Sequence, residues 1–301
     1  MLLAAGCESH VHKEKKTLEE PKFIRYTVKS YQQTMQILNN LGYTQERFKK
    51  GMKKIPRVEL TRISSRWSNE SKNIPIEEKK SLFLRLLASG ALQALEEIKE
   101  ERTRLLDILQ KISKAPISRK ESHWLRKLAK KYKVIKKRSD ILTPEKLEEL
   151  KKRVDIVPPS LILAQGAVES GWGTSRFAIR GNALFGQWSF SKTALKPKEQ
   201  RRQLGNYGLA TFKTPLDSIR SYLLNLNTHP AYRSFRNLRK KLRDEGKLLS
   251  GPVLAETLES YSERGKDYID ELLSVIRINN LAWLDRAKLG DNSPIIIHPD
   301  A

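Results

Sequence analysis

One acid stands where a proton could be stored. From Ser160, placed as an N-cap, the residues Leu161 to Val168 are apolar enough for a helix buried on all sides, and the run ends in Glu169 just before Gly171. A carboxyl at such a place has two reasons to keep its proton. Burial disfavours the anion, and the partly negative end of the helix adds to that. A carboxylic acid still protonated near neutral pH is the donor that general-acid cleavage of a glycosidic bond needs. Trp172, Phe185 and Trp188 follow closely. Their flat faces suit the CH surfaces of sugars, and their bulk excludes water. A plainer account fits the same residues: Glu169 ends a surface helix and the aromatics are core.

Other chemistries find little footing. The five histidines (His10, His12, His123, His229, His298) are scattered, so no metal-ligand cluster is expected. The single cysteine, Cys7, excludes an internal disulfide and a cysteine-based zinc site. Nucleotide loops of the GxGxxG or Walker type are absent, and no cofactor is expected. The 301 residues carry 58 Lys and Arg against 34 Asp and Glu, a net charge of +24. A field of that sign attracts polyanions: nucleic acid, anionic lipid headgroups or a carboxylate-bearing bacterial cell wall. No zinc-finger, RRM or homeodomain pattern supports the first of these. A solvated basic face accounts for the charge equally well. No stretch approaches the roughly 18 apolar residues of a membrane-spanning helix.

The elements that must position Glu169 read as mostly helical. Tyr31, Met35, Ile37, Leu38 and Leu41 are spaced for one face of a helix over about 24–50, with Gly42 a stop signal. Residues 51–75 are irregular. A long amphipathic helix is predicted over 76–112, with Gly90 a point where it could divide, and Pro116 breaks the pattern. A basic helix follows over 119–138, from Arg126 to Arg138 on its charged face. Thr143-Pro144 opens another, to about Val154. Strand patterns are confined to 187–212, which predicts one small hairpin. Helices resume over 215–227, 254–261 and 268–279.

The string Ala167-Val-Glu169-Ser170-Gly-Trp172-Gly-Thr-Ser175, followed by Gly181-Asn182-Ala-Leu-Phe185-Gly186, resembles the motif of the flagellar/autolysin-type N-acetylglucosaminidases, and the wider chain resembles their Bax-type subgroup. Supporting stretches are Val154–Ser160, Ser218–Tyr232 and Tyr261–Tyr268, in order and at plausible spacing, so that the resemblance covers about 141–285. It implies an α+β fold, mostly α, with a lysozyme-like two-lobed domain and a small β-hairpin lobe. It implies hydrolysis of peptidoglycan glycan strands at N-acetylglucosamine. The motif's catalytic acid falls on Glu169, and Tyr261 falls on a tyrosine that lines the cleft. Ser170, Trp172, Asn182, Phe185, Trp188 and Tyr222 are the expected substrate-binding positions. Glu199 is the one acid between Glu169 and Asp217 and is therefore the candidate second carboxylate. A solvated loop residue fits Glu199 as well, in which case the substrate's acetamido group or a water helped by Tyr261 would take the second role.

The expected organisation is a tether over 1–22, a helical region over 23–140, the glucosaminidase domain over 141–290 and a C-terminal tail over 291–301. Leu2-Leu-Ala-Ala-Gly-Cys7 looks like the end of a lipoprotein signal, with Cys7 the lipidated residue, although the apolar stretch is short for one. An exported envelope protein, a periplasmic lipoprotein anchored through Cys7 and a basic surface, is the corresponding expectation. Two other functions compete: a lytic transglycosylase, and a catalytically silent wall-binding scaffold.

Overall fold

The computed structural model describes residues 23–189, 195–196 and 208–300. Cys7, the 1–22 tether and Glu199 lie outside the described residues. The fold is built around the helix that carries Glu169. This helix, α7 by its order in the chain, spans Pro159–Ser170 and begins one residue before the expected N-cap, with Pro159 in its first turn. Proline fits there because the position needs no amide hydrogen. Ser160 therefore does not cap. Its amide and its hydroxyl both donate to the Asp285 carboxylate, each at 2.9 Å. The other oxygen contact of Asp285 is the amide of Gly251, at 2.8 Å, which opens the short helix α11 (Gly251–Ala255). One carboxylate thus ties two helix starts together. At the far end Gly171 turns left-handed, with φ of 56°, and stops α7.

Around α7 pack α11, α12 (Lys266–Ile278) and the helix α4 (Ile76–Ile112). Helix α4 is about 55 Å long at 1.5 Å per residue and runs unbroken through Gly90. The glycines mark close crossings rather than kinks. A Cβ on Gly166 would stand 2.6 Å from the Leu87 side chain, and one on Gly90 would stand 3.0 Å from that of Ile219, in α9 (Pro215–Thr228). The first half of α4, from Leu82 to Ile98, lies in the main core with α7, α9 and α12. That core draws on both sides of the boundary expected at residue 140. The second half, at Leu105 and Ile108, joins a separate apolar cluster with α5 (Arg119–Lys131) and α6 (Pro144–Arg153). Helix α5 is shorter than its basic pattern suggested. Lys133 adopts a left-handed φ of 54° just beyond the cap residue Tyr132, and Lys136 and Lys137 donate their amides to Asp140 in the loop that follows.

Two expectations are corrected. Residues 24–50 are not one helix but the strand β1 (Ile24–Val28), α1 (Tyr31–Asn40) and α2 (Gln45–Lys50). Ser30 and Thr44 accept from the amides of Gln33 and Arg47 and so start the two helices. Residues 291–301 are not a tail. They hold β7 (Ile295–Pro299), which lies between β1 and β3 (Val58–Leu60) in a three-stranded parallel sheet. Its alternation buries Ile295 and Ile297. Two residues apiece form β2 (Lys54–Ile55) and β6 (Lys288–Leu289), also parallel. The expected hairpin is present as β4 (Trp188–Ser189) paired antiparallel with β5 (Gly208–Leu209). The architecture is mostly α with small sheets.

The turn leading into α7 is fixed by arginines. Arg239, from α10 (Arg233–Asp244), is fully buried and donates to the carbonyls of Lys152, Asp155 and Ile156 and to the Asn227 side chain. Arg102 reaches from α4 to the carbonyls of Lys151 and Val154, both at 2.7 Å. Burial alone would push the Asp155 carboxyl up. Arg239, Arg243 and Arg102 around it reverse that and hold it below the usual range.

The Asp285 link is the simplest part of this frame to test. Asp285→Ala orphans two backbone amides and a hydroxyl. Unfolding free energy in urea should fall by about 3 kcal/mol, with an unchanged denaturant slope. An unchanged midpoint would mean that water replaces the carboxylate without loss.

Candidate active site

Glu169 lies in the last turn of α7, partly buried, where the loop 182–187 folds over it. That loop is clamped from several sides. Asn182, left-handed at φ 49°, accepts from the Ile63 amide and donates to the carbonyls of Phe212 and Lys213. The Leu184 amide donates to Ser218 of α9, and the Gln187 side chain donates to Ser221 of the same helix. The loop then turns at Gly186, φ 60°, directly against the acid: a Cβ there would stand 2.9 Å from Glu169 Oε2. Glycine is required at this point both for the backbone angle and for the approach.

Tyrosines enclose the other side. Tyr261 donates its hydroxyl to the Phe185 carbonyl at 2.9 Å and stacks parallel on Tyr268, ring centres 5.7 Å apart. Phe185 stacks on Tyr222 at 4.1 Å, and Tyr232 leans on Tyr261 at 5.7 Å. The Tyr268 hydroxyl is near enough to Glu169 to act on its acidity. Behind it lies Gln165, one helical turn before Glu169 and fully buried. Its amide nitrogen donates to Tyr268 at 2.9 Å, and its amide oxygen accepts from Tyr222 at 2.5 Å.

The electrostatics follow from this enclosure. Desolvation pushes the Glu169 carboxyl above the ordinary carboxylate value; the Tyr268 hydroxyl and Arg264 oppose that, and the Glu271 charge adds to it. Glu271 itself is paired with Arg264 at 2.6 Å. The upward direction is the one expected from the sequence, and burial is its main cause.

The expected substrate-binding residues fall into different places. Phe185 and Tyr222 are fully buried in the aromatic stack behind the acid. Ser170 is also buried. Its hydroxyl donates to the Gly166 carbonyl and accepts from the Gly173 amide, which shapes the turn after α7. Asn182 spends its side chain on the loop clamp. Trp172 faces α4, edge-on to Phe83 and under the Lys80 ammonium, and its carbonyl accepts from Trp67. Trp188 is placed through its backbone in β4. Sequence reasoning missed Gln165, Gly186, Tyr232 and the Arg264–Glu271 pair. Gln165 was the one detectable in advance: it is the single polar side chain between Leu161 and Val168, one turn from the acid. Among the described residues no group of three or more His, Cys, Asp and Glu could hold a metal ion.

A buried helix thus ends in a carboxyl whose pKa is raised by burial, closed by a glycine turn and a tyrosine cluster. Comparison with known sequences gives a family match for part of the chain. Residues 144–281 match the profile of the glucosaminidase family, described as mannosyl-glycoprotein endo-beta-N-acetylglucosaminidase, and the match contains Glu169, Gln165, Gly186 and all four tyrosines. The chain carries a glucosaminidase-family domain over those residues. It is also similar to the protein named Protein bax of Escherichia coli (strain K12), 35% identical over 155 residues, which is 52% of this chain and 54% of that protein. The match therefore spans about half the length of that relative. No solved structure matches the chain.

The Gly186 contact yields a controlled test. Gly186→Ala and Gly246→Ala impose the same backbone strain, since Gly246 also has positive φ, 64°, but nothing lies within 4 Å of a Cβ at Gly246. Gly186→Ala should lower kcat by about 10²-fold by displacing the acid, whereas Gly246→Ala should change thermal stability alone. Equal effects of the two on kcat would remove Gly186 from the site.

Proposed function

We propose that this chain is a bacterial glycoside hydrolase that cleaves peptidoglycan glycan strands at N-acetylglucosamine, with Glu169 as general acid. The observation that carries the reading is the Glu169 carboxyl itself: partly buried at the end of α7, held above its ordinary pKa by desolvation, and packed against the Gly186 turn. The glucosaminidase-family match over the same residues supports the substrate class, and the similarity to Protein bax supports the subgroup.

In this mechanism the Glu169 proton passes to the glycosidic oxygen as the bond from that oxygen to the anomeric carbon breaks. The positive charge that develops on the sugar is taken up by a nucleophile, and a proton from water restores the acid. Tyr261 presents its ring beside the acid and keeps its hydroxyl proton on the Phe185 carbonyl, so its oxygen is left as an acceptor. Glu199 and the substrate acetamido group remain the candidates for the second role. Trp172 and Trp188 are the proposed sugar-stacking residues. Export to the cell envelope, with lipidation at Cys7, belongs to the same proposal.

Digestion of purified peptidoglycan with mass spectrometry of the new reducing ends tests the reading. New N-acetylglucosamine reducing ends are expected, and Glu169→Gln should reduce cleavage by about 10²–10⁴-fold with sacculus binding retained. Anhydro ends would make the protein a transglycosylase, and binding without cleavage would make it a scaffold. Activity of Glu169→Gln within a few-fold of wild type would remove Glu169 from the mechanism.

The basic surface carries a second, independent expectation. Lys127 and Lys130 of α5 and Lys136 and Lys137 after it are exposed, whereas Lys131 is paired with Glu101 at 2.6 Å. If this face recruits the anionic wall, sacculus binding should weaken steeply with salt, because screening acts over about 8–10 Å at physiological ionic strength. Replacing those four lysines with glutamine should flatten the dependence and leave cleavage of short soluble glycans unchanged. Salt-independent binding would leave the face as solvated surface.

A further inference from the structure

We propose that the cavity between α4 and the three-stranded sheet is a binding site for a single hydrocarbon chain with an uncharged polar head. The site is independent of the reading of Glu169 as an acid.

The cavity holds about 100 Å3 and lies where the ends of β1, β3 and β7, at Val28, Leu60 and Pro299, meet α4 and α9. Packed protein interiors leave few spaces larger than one water. At about 10–15 Å3 for each water-sized group, this one has room for about seven to ten of them. Its walls are mostly aliphatic and aromatic side chains, and an apolar cavity of this order takes up hydrocarbon in preference to water. Helix α4 gives it its shape. Leu82, Phe83, Leu86, Leu87 and Gly90 line it from one face of that helix, and the rise from Leu82 to Gly90 is about 12 Å. A space of that length and so small a volume is a slot. About seven to ten methylenes in a row fill both its length and its volume, whereas a compact ring system of the same volume is too wide for it.

The two ends of the slot differ. At the Gly90 end stands β3, whose Val58 amide donates to the Ser89 hydroxyl and whose Val58 carbonyl accepts from Gln93. The next residue, Glu59, lines the cavity half-buried and makes no side-chain hydrogen bond among the described residues. Burial pushes its carboxyl up; Arg220 opposes that, and the Asp217 and Glu97 charges add to it. A hydroxyl head placed here donates to Glu59, whereas a carboxylate head meets like charge. Arg66, also on the walls, does not change that balance, because it is paired with Glu70 at 3.7 Å and donates to the Asp300 carbonyl at 3.2 Å. The opposite end reaches Phe83 and Trp67, the first residue of the short helix α3 (Trp67–Glu70). Gly173 packs there: a Cβ on it would stand 3.1 Å from the Phe83 ring. The tail of the chain therefore lies behind the turn that follows α7.

The test titrates the full chain with 1-octanol and follows the methyl signals of Leu82, Leu87 and Ile219 by 13C NMR. Saturable shifts at these methyls are expected, with a Tm that rises with octanol concentration. Octanoate, the same chain with an anionic head, should bind about tenfold more weakly, and Glu59→Gln should close most of that gap. The compact alcohol 1-adamantanol should not saturate. Ile219→Phe, which fills the slot from α9, should abolish octanol binding. Octanol shifts that fail to saturate, or that spread over the surface instead of gathering at these three methyls, would overturn the proposal. So would octanoate or adamantanol binding as tightly as octanol, a gap that Glu59→Gln leaves unchanged, or unaltered octanol affinity in folded Ile219→Phe. If Ile219→Phe does not fold, the wild-type methyl titration decides alone.

Discussion

A helix buried on nearly every side cannot tolerate loose ends, and α7 is such a helix. Its first-turn donors and last-turn acceptors have little water to turn to, so each end needs its own solution. Asp285 satisfies the start, and the left-handed Gly171 with the Ser170 hydroxyl closes the end. Everything else in the domain is arranged around these two solutions. Glu169 is the one ionisable side chain of the helix, and it sits where the burial gives out. Its altered acidity is thus a by-product of the packing that makes the helix possible. The loop 182–187 and the tyrosines complete the desolvation that α7 begins.

The charge of the chain has an interior part as well as a surface one. Arg85, Arg236 and Arg239 are among the largest fully buried side chains. Each spends donors on backbone carbonyls that secondary structure leaves open: Arg85 on Tyr43, Arg236 on Leu226 and His229, Arg239 on the turn from Lys152 to Ile156. The guanidinium fork suits that task because its five donors can hold several carbonyls at once. A count of +24 therefore overstates the charge available to a polyanion.

Much of this was legible in the residues. The long helix over 76–112, the hairpin near 188–209 and the acid at the end of a buried helix all follow from local periodicity and turn chemistry. What local pattern could not show is pairing at a distance. Residues 295–299 are short, end in proline and look like a tail until two strands, β1 and β3, lie on either side of them. Ser30 was a readable cap, but the apolar spacing of Tyr31 to Leu41 invited the helix to be extended back through β1. Gln165 was overlooked because a lone polar residue in an apolar helix is invisible to periodicity. Its importance comes from Tyr222 and Tyr268, which arrive from separate helices. Trp172 is likewise placed by distance, since its ring packs against Phe83 and Lys80 of a helix far upstream.

The parallel pairing of β1 with β7 joins residues about 270 positions apart, with β3 completing the sheet from the early part of the chain. Such contacts raise the contact order of the whole molecule and delay its final folding step, because the longest loop must close before they reward it. During synthesis the sheet cannot form until β7 has emerged, so the early strands and the apolar half of α4 must wait unpaired and open to misassociation. A chain that assembles in this order completes its sheet only after Glu169 has long been made, and a break between residues 169 and 295 leaves an N-terminal polypeptide that holds this acid but cannot close that sheet.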